Sequence, residues 1–148
     1  MPAVQLCFPE FEPAAPFDNV FFAVRLAPEA FSQIEQIRSE LRHEHGLKGA
    51  VISRQRLHVS LLGVCKCHGL PDELIDAACR AAVSVAMPPF DVVFDRVMSF
   101  RNRQNKKPLV LLTCGDNTAL AGLRKSLCEA MSAAGIGRRM SSQFVPNM

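Results

Sequence analysis

Apolar residues recur along this chain in two patterns, runs of strand length and stripes at helical spacing, and the two follow one another in a repeated order. Val20-Phe21-Phe22-Ala23-Val24 is aromatic and β-branched and predicts a buried strand. Pro28 and Glu29 suit a first helical turn, and Phe31, Ile34, Ile37 or Arg38, and Leu41 then keep helical spacing until Gly46 offers a stop. From Arg56 to Val64 the pattern changes to alternation. Leu57, Val59 and Leu61 take one face of a strand, and His58 and Ser60 share the other.

Pro71-Asp72-Glu73 opens a second helix, whose stripe of Leu74, Ile75, Ala78, Ala82 and Val85 runs on to Pro88-Pro89. Phe90 to Phe100 predicts a long strand, and a basic loop from Arg101 to Lys107 leads to a second strand, Leu109 to Thr113, that can pair with it as a hairpin. Asp116 or Asn117 caps a third helix with Leu120, Leu123, Leu127 and Met131 on its stripe, ending at Gly135 and Gly137. A strand-like tail, Ser141 to Val145, follows.

The two strand-helix stretches align without a gap at an offset of 89 residues, which sets Phe21 on Val110, Phe31 on Leu120, Ile34 on Leu123 and Gly46 on Gly135. Matched strands and matched terminal glycines point to an internal duplication. The predicted fold is therefore α+β, with two pseudo-symmetric lobes of antiparallel sheet and packed helices around a central groove. The same offset sets His58 on Asn147.

The length of 148 residues predicts one domain after an N-terminal arm over 1–19. The chain shows neither a membrane span nor a signal peptide, so the expected location is the cytoplasm. The six cysteines would then stay reduced, and their apolar surroundings read as core. Seventeen Lys and Arg against fourteen Asp and Glu leave a formal charge of +3, too small to predict a protein that wraps a nucleic-acid duplex. Charge matters locally instead. Arg54, Arg56, Arg101, Arg103, Lys106, Lys107, Arg138 and Arg139 lie in or beside predicted loops, either as a solvated rim or as contacts to RNA phosphates.

The order of elements, with Leu57-His58-Val59-Ser60-Leu61 in the first unit and Phe144-Val145-Pro146 at the end of the second, resembles the 2H phosphoesterase superfamily. The resemblance is strongest to its 2′-5′ RNA ligase or RNA 2′,3′-cyclic phosphodiesterase branch and covers the chain from about Val20 onward. That family carries two His-x-Thr/Ser motifs on pseudo-symmetric strands. His58-Val59-Ser60 supplies the first. Where the second is expected the chain reads Asn147-Met148, so the resemblance implies a degenerate second motif, with the family's closing strands expected to be missing.

Opening a 2′,3′-cyclic phosphate with water needs a base for the water proton and an acid for the departing ribose oxygen. Two imidazoles can do both near neutrality, because a free imidazole titrates near pH 6.5. No metal or other cofactor is required. The resemblance implies that His58 is the proton donor to the 3′-oxygen, leaving a 2′-phosphate, and that Ser60 contacts a non-bridging phosphate oxygen. Arg56, Arg101 and Arg139 are the expected substrate contacts. Asn147 cannot act as the base, because an amide does not accept a proton at neutral pH, so impaired activity is expected.

Other readings compete. The chain could be an inactive RNA- or nucleotide-binding remnant of the same fold, or its groove could be completed by another chain through an exposed C-terminal edge, although a monomer is expected. The partner in each case is RNA or an oligonucleotide, with no membrane. His43 and His45 lie near a helix end, where cations suit the helix dipole. Cys65, Cys67 and His68 lack the two-residue cysteine spacing and the distant second pair of common zinc sites, so no metal site is predicted.

Overall fold

The computed structural model describes residues 18–99, 107–113 and 115–136. In chain order these form β1 (Asp18–Arg25), α1 (Pro28–His45), β2 (His58–Cys67), α2 (Asp72–Val83), β3 (Arg96–Ser99), β4 (Leu109–Leu112) and α3 (Thr118–Ala133). A 3-10 turn over Arg54–Arg56 leads into β2. β1 pairs antiparallel with β2, and β3 with β4, so the α+β class holds and the expected hairpin is present.

The two strand-helix units agree with the 89-residue offset. Shifted by it, α1 would span 117–134, and α3 occupies Thr118–Ala133. Each helix gives way to a glycine of positive φ, 60° at Gly46 and 76° at Gly135. A β-carbon is strained in that conformation, so glycine is the residue that lets both chains turn away. Asp116 assists the start of α3 by accepting the Thr118 backbone N–H at 2.9 Å. That hydrogen bond holds its carboxyl below the usual carboxylate range.

The core crosses between the units. Val59 and Leu61 on the inner face of β2 are buried with Leu120 and Leu127 of α3, and Phe22, Val24 and Leu123 close around them. Met131 of α3 meets Ala78 and Ala81 of α2 in a second cluster. Full burial of a Leu or Val contributes about 1.5–3 kcal/mol, so these contacts dominate the packing. α1 is held more loosely. None of its residues is buried, and a cavity of about 420 Å³ lies between its Ile34, Ile37 and Leu41 and the β4 side chains Leu109, Val110 and Leu111.

Several sequence expectations need correction. The run Val20–Val24 is not a buried strand: Val20, Phe22 and Val24 point inward while Phe21 and Ala23 are exposed. β1 also begins at Asp18, inside the stretch assigned to the N-terminal arm. The long strand from Phe90 shrinks to Arg96–Ser99, because Phe90, Val92 and Phe94 are spent on the core rather than on pairing. α2 stops at Val83, where Ser84 turns back to donate its Oγ–H to the Ala81 carbonyl at 2.6 Å. Of the four described cysteines only Cys128 is core; Cys65 and Cys67 are half-buried and Cys79 is exposed. Cys7, Cys114 and the tail from Ser141 to Val145 lie outside the described residues.

Candidate active site

The solvent face of the β1–β2 sheet gathers the polar residues of the first motif. In the antiparallel register Arg25 faces His58 and Ala23 faces Ser60. Alternation then turns both motif side chains to the side opposite Val59, which is buried at 2% exposure. Further along, Leu61 and Val64 have no partner in β1 and form two bulges, and Phe21 comes to lie opposite Gly63.

The His58 ring is fixed on two sides. Its Nδ1 lies 2.6 Å from the Arg56 carbonyl, and since a carbonyl only accepts, Nδ1 carries the hydrogen. Nε2 is then the ring nitrogen that carries no hydrogen in the neutral imidazole. The second restraint is the Phe21 ring, 5.3 Å away between centroids and tilted by 39°. Phe21 and Arg25, the cross-strand partner of His58, are four residues apart on β1, so both rings lean toward each other above the Ala23–Ser60 pair. Side chains as small as Ala23 and Ser60 leave room for this.

The 3-10 turn is anchored from both neighbours. Arg54 donates to the Glu35 carboxylate through Nε at 2.8 Å and through Nη2, and its guanidinium lies over the Phe31 ring at 5.5 Å. Arg54 is therefore bound to α1 and is not a free phosphate contact. Arg25 donates to the Gln55 carbonyl at 3.4 Å, which ties the end of β1 to the same turn. Arg56 is exposed beside His58, and its carbonyl orients the imidazole.

The described residues thus bring together His58, Ser60 and Arg56 of the predicted set. Arg101, Arg139 and Asn147 lie outside them, as do Arg103, Lys106, Arg138 and Phe144. Lys107 borders the cavity beside α1 rather than the face that carries His58. Phe21, Ala23 and Arg25 are the members of this face that the sequence reading missed; Asn19 and Arg25, polar at the alternate positions on either side of Phe21 and Ala23, were the available signal. His43 and His45 occupy the last turn of α1, as expected.

The Cys65 and Cys67 sulfurs approach to 3.0 Å on the face opposite His58, paired with Val20 and Asp18. The hydrogen bond with Cys65 pushes the Cys67 thiol up to about 11. Among the described residues no group of three or more His, Cys, Asp or Glu side chains is placed to hold a metal ion. Among them, too, no helix is long and apolar enough to cross a membrane.

No curated protein matches the chain. Among solved structures it resembles the crystal structure of E. coli LigT in apo form, with a TM-score of 0.61 and 18% identity over 89% of this chain and 70% of that one. At that identity the likeness speaks for the fold. The family model of the 2′-5′ RNA ligase superfamily matches residues 26–147. That stretch takes in α1, the strand with His58 and Ser60, the β3–β4 hairpin and α3, and on it the chain belongs to the 2′-5′ RNA ligase superfamily.

Proposed function

We propose that this chain is a single 2H phosphoesterase-like domain that hydrolyses a terminal 2′,3′-cyclic phosphate of RNA to a 2′-phosphate in the cytoplasm, by histidine acid-base chemistry without a metal. The observation that supports it most is the restraint on His58: with Nδ1–H held by the Arg56 carbonyl, Nε2 is the proton-exchanging atom, on the face it shares with Ser60. In the proposed step a water oxygen bonds to phosphorus and the bond from phosphorus to O3′ breaks. The proton on Nε2 passes to O3′, and the water gives up its own proton to a base. The Ser60 hydroxyl donates to a non-bridging oxygen as negative charge grows there. Arg56, with Arg101 and Arg139, contacts the RNA phosphates.

The base is the weak part of this site. Asn147, which follows Phe144-Val145-Pro146, carries an amide that does not take a proton at neutral pH. One acid or base partner contributes about 10²- to 10⁴-fold, so turnover is expected to be slow for the family. The test is conversion of adenosine 2′,3′-cyclic phosphate to adenosine 2′-phosphate in the presence of a chelator, followed by phosphorus NMR. His58→Ala is expected to lower the rate by about 10²- to 10⁴-fold, and Asn147→His to raise it. Binding without turnover, insensitive to His58→Ala, would replace this reading with that of a nucleotide-binding remnant.

A further inference from the structure

Phe21 is a large apolar side chain left 38% exposed on a face otherwise made of small and polar residues. One side of its ring contacts the imidazole of His58. Its partner across the strand is Gly63, which has no side chain and where an added β-carbon would meet nothing within 4 Å among the described residues, so none of these crowds the ring from that flank. An aromatic ring with an accessible flank, beside a proton donor and next to Ser60, is a surface for a planar group attached close to a phosphate.

We propose that Phe21 is a stacking platform for the nucleobase of the nucleotide whose phosphate lies at His58. The inference rests on the nucleotide-phosphate reading of the site and adds the base to it. In a ribonucleoside 2′,3′-cyclic phosphate the base is one ribose removed from the reacting phosphorus; on the protein, Phe21 is one ring contact removed from His58. Stacking on an aromatic face is open to every base, since each presents a π surface, so the platform selects for a nucleotide over a bare sugar phosphate and not for a sequence. A ring that only steadied His58 would gain nothing from a partner without a side chain at Gly63.

Calorimetry on the full chain with adenosine 2′-phosphate and with the base-free methyl ribofuranoside 2-phosphate separates these roles. Wild type is expected to prefer the adenosine compound by about five- to 150-fold, the range of one base-aromatic stack. Phe21→Leu keeps apolar bulk without a π face and is expected to collapse that ratio toward one, while Phe21→Trp preserves it. The ratio cancels any loss common to both ligands, including one from a displaced His58. A ratio unchanged in Phe21→Leu overturns the platform, and so does a wild type that binds both compounds equally. If neither compound binds wild type, the reading of the site as a nucleotide-phosphate site fails and takes the platform with it. Base-dependent binding lost in Phe21→Leu, with no hydrolysis of the cyclic phosphate, upholds the platform and sinks only the catalytic reading.

Discussion

Arg124 of α3 donates its Nε–H to the carbonyl of Leu61 in β2 at 3.0 Å. Leu61 is a bulge residue with no partner in β1, and its side chain is buried at 6% exposure. A bulge disturbs the ladder, and a buried carbonyl there costs free energy unless something donates to it. The second unit supplies the donor, to a carbonyl one residue along the chain from Ser60, the partner of Ala23, and two residues before Gly63. Arg124→Leu is expected to lower the unfolding free energy by about 1–3 kcal/mol, the cost of a buried polar group left unsatisfied. Equilibrium denaturation by urea measures it, and an unchanged midpoint would show that the carbonyl finds water instead.

The crosswise core makes a contrast between helices. Leu120 on α3 is 2% exposed, whereas Ile37 on α1 is 38% exposed. Leu120→Ala is expected to cost about 2–5 kcal/mol. Ile37→Ala should cost well below that, although the 89-residue offset sets the two helices on one another. Parallel urea melts of the two variants decide it, and equal losses would mean that α1 is packed as firmly as α3.

The thiol pair carries a pH signature. Cys67 is held protonated up to about 11, first by its hydrogen bond with Cys65, against 9.0 for an ordinary thiol. Because the folded value is the raised one, the contribution to stability is complete below pH 9.0 and is lost as pH rises toward 11. Cys65→Ala removes the principal cause, so Cys67 should ionise at lower pH and react faster with iodoacetamide at pH 9, as read by peptide mass. The same substitution should flatten the loss of melting temperature above pH 9. Alkylation at the wild-type rate would show that Cys65 does not hold the proton.

Local signals served well where they were decisive. Pro28 and Gly46 bracket α1 and Gly135 follows α3, because proline and glycine act through backbone geometry that neighbours cannot override. The alternation of Leu57, Val59 and Leu61 against His58 and Ser60 also gave the correct faces. Phe21 misled because aromatic content signals strand propensity and not burial; which face of β1 meets the core is set by α3, far along the chain. The bulges at Leu61 and Val64, and with them the pairing of Phe21 with Gly63, depend on register between two strands that no single segment encodes. Phe90 to Phe94 reads as strand because it is apolar and alternating, yet its inward residues fill the space against α3. The carbonyl that orients His58 belongs to the backbone of Arg56, and backbone acceptors leave no mark in a sequence.

The placement of α3 over β2 also sets an order of events during synthesis. β1 and β2 leave the ribosome complete at Cys67, but the residues that cover their inner face, Leu120 and Leu127, are made more than fifty residues later. At about 5–20 residues per second, several seconds pass in which Val59, Leu61 and Phe22 have no lasting cover. A nascent chain in that interval offers a two-stranded apolar surface to any chaperone at the exit, and His58 and Ser60 acquire a rigid floor only when translation has passed α3.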